Sequence, residues 1–173
     1  MYQDFDYEKA MEMVNSQLKE MREEMAEIDE MKLKGKKKKL ALCMKRIYKR
    51  LEEIVDVYAK TQEHGDFNNV CRELEALQPA FVLNYNEIFY DQGMEKLNET
   101  LDKMEEELHK VDDLKLSGAK EEKANEMHEM YDNIYDKVDR YAQSHEKNDY
   151  DNAVEEVERV KMDFILNYNE LTD

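Results

Sequence analysis

Glycine, proline and tryptophan are scarce in this sequence. Its 173 residues include four glycines, one proline and no tryptophan. Loops that cradle phosphate groups and tight catalytic turns are built largely from glycine, so the chain has little material for them. It also has no Ser-His-Asp order and no Cys-x-x-Cys motif. These absences predict a protein that is not an enzyme and that binds no cofactor.

Long apolar runs are absent as well. No stretch approaches the roughly 20 apolar residues that a membrane-spanning helix needs. The first residues, Met1–Asp6, are acidic and lack the basic and apolar regions of a signal peptide. The chain has two cysteines, Cys43 and Cys71. The second half of the sequence resembles the first but has no cysteine at the corresponding positions, whereas a structural disulfide would have been duplicated with it. We therefore expect two reduced thiols and a cytoplasmic location.

What the chain does contain is an internal repeat. The segment Leu83-Asn84-Tyr85-Asn86-Glu87 returns unchanged 83 residues later as Leu166-Asn167-Tyr168-Asn169-Glu170. Residues 8–90 and 91–173, aligned without a gap, are identical at 30 of 83 positions. This agreement predicts two copies of one unit, with a first domain over residues 1–90 and a second over residues 91–173.

The composition and the apolar spacing both favour helices. Charged residues make up 40% of the chain, and methionine, glutamate and lysine form helices more readily than strands. Apolar residues recur in alternating steps of three and four, which is typical of helices that pack along one face. The pattern predicts three helices per unit, over residues 7–34, 36–64 and 66–90 and again over 91–117, 119–147 and 149–172. The predicted fold class is all-α, with two tandem antiparallel three-helix bundles in an elongated arrangement.

Glycine or asparagine stands at each expected turn: Gly35, Gly118, Gly65-Asp66 and Asn148-Asp149. We expect the first two glycines to end the first helix of each unit in the left-handed conformation. In the other two pairs, the first residue is expected to take the left-handed conformation in the turn, and the aspartate is expected to cap the third helix. Pro79 predicts a kink confined to the first unit. Near Gly93 the chain either continues as one helix or bends, and we expect a nearly continuous rod.

Three helices per unit, tandem copies and a junction without a linker resemble spectrin-type repeats. The segment Leu114-Lys115-Leu116-Ser117-Gly118, followed by Glu121-Glu122-Lys123, also resembles a stretch in the cytoplasmic repeats of bacterial septation-ring regulators of the EzrA type. A looser match runs through Asp149-Tyr150-Asp151-Asn152-Ala153. Those proteins are anchored in the membrane, use spectrin-like bundles and organise the tubulin-like division ring. The resemblance implies a spectrin-like fold and a role associated with the cytoskeleton or with division.

Glu106 and His109 have the Glu-x-x-His spacing of di-iron four-helix bundles. That site needs a second such pair, and no other histidine of the chain has a glutamate three positions before it. Leu108 belongs to the apolar stripe, which turns Glu106 and His109 toward solvent. The sequence therefore predicts no metal ligands.

The repeated pentapeptide has two interpretations. The heptad count along the third helix puts Asn84 at an apolar position, where a buried asparagine would fix helix register. Asn15 and Asn98 are also repeated, and each could hydrogen-bond to the first asparagine of the pentapeptide in its unit, on the expectation that the start of the first helix and the end of the third meet. The second interpretation is a repeated binding surface, formed by Asn84, Tyr85, Asn86, Glu87, Asn167, Tyr168, Asn169 and Glu170.

Charge is divided unequally between the repeats. Residues 1–90 hold 15 Lys+Arg against 18 Asp+Glu, and residues 91–173 hold 11 against 25, so the net charges are −3 and −14. Positive charge in the first repeat is concentrated at Lys36, Lys37, Lys38, Lys39, Lys45, Arg46, Lys49 and Arg50. Such a cluster attracts acidic surfaces, but the acidity of the whole chain argues against nucleic acid as the partner. A membrane contact is expected only as weak binding of Lys36–Lys39 to acidic lipid.

These observations favour a non-catalytic interaction or scaffold module that binds a protein partner through charged helical faces. The basic repeat of one molecule could also contact the acidic repeat of another, and salt would weaken such a contact. The alternative function is that of a small acidic inhibitor, of the kind that phages encode, which mimics nucleic acid and blocks a nucleic-acid-binding enzyme through the second repeat.

Overall fold

The protein is all-helical over the part of the chain that the computed structural model describes, residues 6–173, and this confirms the predicted class. Residues 1–5, which contributed to the prediction that no signal peptide is present, lie outside this range. The helices are α1 (Tyr7–Asp29), α2 (Lys36–Thr61), α3 (His64–Asp112), α4 (Ala119–Ser144) and α5 (Lys147–Thr172). The chain divides into two compact units, which we call unit 1 (Met1–Ile88) and unit 2 (Phe89–Asp173).

A single helix, α3, replaces the two helices predicted over residues 66–90 and 91–117. It continues through Gly93, where the sequence left a bend open. Pro79 also lies inside α3, with its side chain exposed. Because proline has no N–H, the carbonyl of Glu75 loses its helical hydrogen bond. The kink at Pro79 and the rod-like shape stay predictions.

The first helical segment of each unit ends earlier than predicted. Helix α1 ends at Asp29 rather than at residue 34, and α3 ends at Asp112 rather than at residue 117. Leu33 and Leu116 follow in non-helical chain and pack against the cores of their units. Burial of these leucines compensates for the helical hydrogen bonds that the chain gives up.

Gly35 and Gly118 were predicted to end the first helix of each unit. They instead stand at the start of the second helix. Each is the N-cap residue of the following helix, with φ 60° and ψ −130° at Gly35 and φ 62° and ψ −134° at Gly118. A Cβ atom is strongly disfavoured at these angles, so glycine is the residue type that fits. The sequence signal was right about positive φ and wrong about the helix that it serves.

Each unit has its own core, to which three helical segments contribute. In unit 1 the buried core side chains of α1, α2 and the first part of α3 include Val14, Leu18, Met21, Ile28, Met44, Ile47, Leu51, Ile54, Tyr58, Val70, Leu74, Phe81, Tyr85 and Ile88. In unit 2 those of the rest of α3, α4 and α5 include Leu97, Leu101, Met104, Leu108, Val111, Met127, Ile134, Val138, Tyr141, Val160, Phe164 and Leu171. Most of them recur every three or four positions, so one side of each helix faces the core.

The turn into the third helical segment is built in the same way in both units. In unit 1, Gln62 has φ 56°, and the hydroxyl of Thr61 donates to Asp66 at 2.5 Å and accepts from the N–H of Glu63 at 3.3 Å. Unit 2 repeats these features with His145, Ser144, Asp149 and Glu146. The prediction that Gly65 takes the left-handed conformation is therefore wrong, because Gln62 does so. Asp66 accepts from the preceding helix instead of capping its own.

A fully buried tyrosine packs beside this turn in each unit. In unit 2, Tyr141 lies between Tyr90 and Tyr150, with ring centroids 5.3 and 5.5 Å away. Unit 1 has the same arrangement, formed by Tyr58, Tyr7 and Phe67. Ring pairs at these separations stabilise a fold beyond the burial of their surface. The hydroxyl of Tyr141 has no hydrogen-bond partner among the described residues, and its burial raises the pKa of Tyr141 far above the ordinary value.

Gly93 is what allows Tyr141 to approach α3 so closely. A Cβ atom on Gly93 would lie 2.6 Å from Tyr141 Oη and 2.9 Å from Cε1 of Phe89. Unit 1 has Ala10 at the corresponding position, and Tyr58 is fully buried there as well. The requirement for glycine is therefore specific to unit 2.

Glu156 is a carboxylate in the interior of unit 2, with 6% of its surface exposed. It accepts two hydrogen bonds from Arg159, at 2.5 and 3.1 Å, and one from Lys137 at 3.4 Å. The bonds from Arg159 outweigh the effect of burial and lower the pKa of Glu156 below its ordinary value. Glu73 holds the same position in unit 1, where it pairs with Arg50 at 3.7 Å. Both units thus have a glutamate at this position, but the cationic partners of the two glutamates differ.

Replacing Gly118 with alanine is expected to lower the free energy of unfolding by about 1–2 kcal/mol, because alanine would have to keep a strained positive φ. Gly65→Ala is the control. Gly65 is helical, and open space surrounds the position of its Cβ, so alanine there should be neutral or stabilising by up to about 1 kcal/mol. Urea unfolding followed by circular dichroism measures both variants, and equal losses would contradict the assignment.

Gly93→Ala is expected to destabilise the protein by about 1–3 kcal/mol, because its Cβ collides with Tyr141. Tyr141→Phe removes the hydroxyl that is 2.6 Å from that Cβ and should by itself be close to neutral, since this hydroxyl is unpaired. The double variant should therefore lose less stability than the sum of the two single changes. Thermal unfolding of the four proteins completes the cycle, and strict additivity would be the contradicting result.

Glu156→Gln tests the buried ion pairs through their pH dependence. Because the folded-state pKa is lowered, the carboxylate stabilises the fold above the unfolded-state pKa of about 4.3, and this contribution is lost as the pH falls through the folded-state value. The variant should lose about 1–2 kcal/mol at neutral pH. Its unfolding free energy should also fall less than that of the wild type between about pH 5 and pH 3. The exposed neighbour Glu155 provides the control, Glu155→Gln, and parallel curves for Glu156→Gln and wild type would refute the assignment.

Candidate interaction surfaces

The basic face of α2, which we define by Lys36, Lys38, Lys39, Lys45, Arg46, Lys49 and Arg50, is exposed along the first half of the helix. Steps of seven and four residues bring Lys38, Lys45 and Lys49 onto one row, and Lys39, Arg46 and Arg50 onto the row beside it. The remaining predicted cation, Lys37, is half-buried. The structure thus brings most of the predicted basic cluster onto one continuous surface.

Two cations of the basic face have carboxylate partners within unit 1. Lys45 Nζ lies 2.8 Å from Asp29 at the end of α1, and Arg50 pairs with Glu73 on α3. The others, Lys36, Lys38, Lys39, Arg46 and Lys49, have no ion-pair partner in the described part of the chain. These five side chains project an uncompensated positive charge, which is available to an external acidic group.

The N-terminus of α2 is an unfavourable place for this charge. The first turn of α2 contains only lysines and no acidic residue, whereas the first turn of α4 contains Glu121 and Glu122. The aligned peptide dipoles place partial positive charge at a helix N-terminus, where anions stabilise and cations destabilise by about 0.3–1 kcal/mol each at low ionic strength. Unit 1 therefore loses stability at the position where unit 2 gains it.

In unit 1 the buried side chain of the repeated pentapeptide is Tyr85 rather than Asn84. Tyr85 is 2% exposed, and its hydroxyl donates to Glu27 Oε2 at 2.6 Å. Asn84 and Asn86 are half-buried, and Glu87 is exposed. The heptad count was out of phase here, because the step of four from Phe81 leads to Tyr85 and not to Asn84.

The predicted asparagine pairs are not formed. Asn15 and Asn98 are exposed, and within residues 6–173 neither is hydrogen-bonded to the pentapeptide asparagine of its unit. The bond between Glu27 and Tyr85 joins the end of α1 to the pentapeptide, whereas Tyr7, at the start of α1, packs beside the start of α3. Helix α1 therefore runs in the same direction as α3, and its first turns lie far from the pentapeptide.

In unit 2 the pentapeptide bonds to α4. Asn167 Nδ2 donates to Glu126 at 3.5 Å, and Glu170 forms an ion pair with Lys123. Tyr168 packs half-buried against the core, and Asn169 is exposed. Most of the polar groups that the sequence suggested as a repeated binding surface are thus engaged within their own unit, and the partners differ between the units.

Exposed apolar side chains at the first position of the pentapeptide, and at the residue before it, were not predicted from the sequence. Leu83 is 67% exposed and Leu166 is 51% exposed, and the preceding residues, Val82 and Ile165, are each 40% exposed. Burying such side chains would be favourable. The sequence did contain a signal for this exposed surface, because both repeats have an identical leucine at a position outside the apolar stripe.

The two cysteines are free thiols in different surroundings. Cys43 is exposed on the basic face, and Cys71 is half-buried, where burial raises the pKa of its thiol above the ordinary value. A raised pKa keeps Cys71 protonated and weakly nucleophilic at neutral pH. Neither thiol forms part of a site that the structure assembles.

Residues 6–173 contain neither a metal-binding cluster nor a membrane-spanning helix. No three His, Cys, Asp or Glu side chains in this range are grouped so as to hold a metal ion. His109 lies 3.7 Å from Glu105, and Glu106 is exposed. None of the helices is both long and apolar enough to cross a bilayer.

No protein-family model, curated protein sequence or solved structure matches this chain. The resemblance to spectrin-type repeats and to septation-ring regulators therefore stays an expectation.

Proposed function

We propose that this protein is a non-catalytic interaction or scaffold module, and that the basic face of α2 binds an acidic surface of a protein partner. The observation that carries the proposal is the first turn of α2, where Lys36, Lys38 and Lys39 have no ion-pair partner in the described part of the chain and lie at the end of the helix dipole that repels them. A purely structural helix gains stability from acidic residues at this position, as α4 does. A surface that departs from the stable arrangement is expected where a function requires it.

The proposed architecture is two copies of one antiparallel three-helix bundle, related to spectrin-type repeats. Its support is the internal repeat of 83 residues, the three helical segments that contribute to each core, and the identically built turns at Thr61 and Ser144. We further propose a cytoplasmic protein associated with the cytoskeleton or with division, in line with the resemblance to septation-ring regulators. The acidic partner is then another protein or the acidic unit 2 of another copy.

A second candidate function rests on the outward face of α4. Glu121, Glu122, Glu129 and Asp132 are exposed and have no ion-pair partner in the described part of the chain. A helix that presents regularly spaced carboxylates can occupy a groove made for nucleic-acid phosphates. In this alternative, unit 2 inhibits a nucleic-acid-binding enzyme, and an excess of duplex DNA releases the enzyme.

The double substitution Lys38→Glu/Lys39→Glu gives α2 the residues of α4 and tests the proposal. We expect the variant to gain about 0.5–1 kcal/mol of stability from the helix dipole. At the same time, it should lose binding to poly-glutamate, the probe for an acidic partner surface. Wild-type binding should fall steeply from about 0.1 M to about 1 M salt, because the Debye length shrinks from about 10 Å to about 3 Å. Fluorescence anisotropy measures binding, and chemical unfolding measures stability.

Lys9→Glu/Lys19→Glu is the matched control, because it changes the net charge equally at exposed positions of α1. It should leave poly-glutamate binding nearly unchanged. Equal binding by the wild type and the Lys38/Lys39 variant would refute the basic face as the site. Tighter binding to anionic vesicles or to duplex DNA than to poly-glutamate would show that the face serves a different class of partner.

A further inference from the structure

Unit 2 has a surface groove of about 260 Å³ between α3 and α5. Its apolar lining consists of Met104, Ile134, Val157, Val160, Phe164 and Ile165. Two lysines, Lys103 and Lys161, and two glutamates, Glu107 and Glu158, lie around it. The groove belongs to neither surface considered so far, because α2 and the outer face of α4 take no part in it.

The groove coincides with a difference in side-chain volume between the units. Val157 and Val160 stand where unit 1 has Leu74 and Leu77, and each valine is one methylene smaller than leucine. The flanking Met104 and Phe164 have identical counterparts in unit 1. In a close-packed interior, a loss of this size leaves a gap unless another group fills it. Unit 2 leaves it open to the surface.

The side chains around the groove are more positively charged than their counterparts in unit 1, although unit 2 as a whole is more negatively charged than unit 1. Unit 1 has Glu20 in place of Lys103 and Gln78 in place of Lys161, whereas both glutamates of the groove are glutamates in unit 1 as well. Elsewhere unit 2 is far more acidic, since residues 91–173 carry a net charge of −14. Neither lysine has an ion-pair partner among residues 6–173. The border of the groove therefore holds two charges of each sign within an acidic unit.

An exposed apolar ridge lies beside the groove on α5. Met162 is 66% exposed, Leu166 is 51% exposed and Ile165, which also lines the groove, is 40% exposed. Their spacing of three and four residues puts them on one face of the helix. The same surface thus offers both a projecting apolar ridge and an apolar depression.

We propose that this surface is the interface of a homodimer, in which a second copy of the chain places its α5 ridge in the groove of unit 2. A two-fold symmetric contact uses the same patch on both copies, so the patch must complement itself in shape and charge. A ridge beside a groove meets the first requirement. Two lysines and two glutamates meet the second, because Lys103 and Lys161 can face the two glutamates of the second copy.

The lysines also explain how two acidic units can approach each other. Two copies of unit 2 repel, since each carries fourteen excess negative charges. Positive side chains at the contact reduce this repulsion locally, whereas glutamate and glutamine, as in unit 1, would not. Long-range repulsion remains, so the dimer should tighten when salt screens it. A contact between the basic face of α2 and an acidic unit responds to salt in the opposite way, which separates this inference from the proposed function.

Sedimentation velocity of the full chain, from low micromolar to near-millimolar protein, tests the interface. We expect the sedimentation coefficient to move from that of a 20.8 kDa monomer toward that of a dimer, with the midpoint at lower protein concentration in about 1 M than in about 0.1 M sodium chloride. A monomer under all conditions overturns the inference. So does a dimer that weakens with salt and is lost in Lys38→Glu/Lys39→Glu, because it would use the basic face.

Charge variants test the self-complementary border of the groove. Lys103→Glu/Lys161→Glu makes it wholly acidic and Glu107→Lys/Glu158→Lys makes it wholly basic, so neither protein should form homodimers. An equimolar mixture of the two should form a heterodimer. Circular dichroism confirms that both variants fold, which is expected because Lys103, Glu158 and Lys161 are exposed and Glu107 is only half-buried. Failure of the mixture to associate overturns the inference.

Apolar variants test the ridge and the groove separately. Val157→Leu/Val160→Leu installs the unit 1 residues, fills the groove without a change in charge, and should abolish the dimer. Leu166→Ala should weaken it at least tenfold, whereas the matched change in unit 1, Leu83→Ala, should leave it unchanged. Equal effects of the two leucine changes would overturn the assignment to unit 2. A small amphiphile found in the groove of a monomeric protein by native mass spectrometry would overturn it as well.

Discussion

A narrow apolar stripe on each helix is the constraint on which both units depend. Two-fifths of the residues are charged, so each helical segment has little more than one face to bury, and every large side chain on that face contributes about 1.5–3 kcal/mol. The most deeply buried positions agree between the repeats, as Tyr58 with Tyr141, Met44 with Met127 and Phe81 with Phe164 illustrate. Residues outside the stripes carry no such constraint, and the units differ there in charge and in exposed apolar surface.

The sequence was sufficient for the helical class and for most of the stripes, because periodic burial leaves a periodic pattern. It failed at positions where two side chains compete for the same place. Tyr85 and Asn84 are adjacent, and Tyr85 takes the buried position, where its hydroxyl donates to Glu27, a residue far away in the chain. The early end of α1 has a similar origin, since it depends on the packing of Leu33 against a core that local propensity does not describe. The junction without a linker favoured a continuous chain near residue 93, but the sequence left a bend open, because glycine is compatible with a bend and with close packing against Tyr141.

The candidate surfaces divide in the same way. The basic face of α2 could be predicted, because its cations are close in sequence and a helix keeps them on one side. The groove of unit 2 could not, because it arises from single methylenes at Val157 and Val160 and opens only when α3 and α5 are packed. The pentapeptide is the longest segment that is identical in the two repeats, yet its polar groups act largely inside each unit. Its first residue, leucine, is exposed in both units.

Internal duplication makes each unit a reference for the other. The basic face of α2 and the groove of unit 2 are places where one unit has a feature that is favourable for stability and the other lacks it. At the start of the second helix, unit 2 has the acidic residues that the dipole favours and unit 1 has lysines. At the positions where unit 2 lines its groove with Val157 and Val160, unit 1 has the larger leucines, which fill its core. Each departure sits on an outward face beside an intact core, which is where a binding role can be added without loss of the fold.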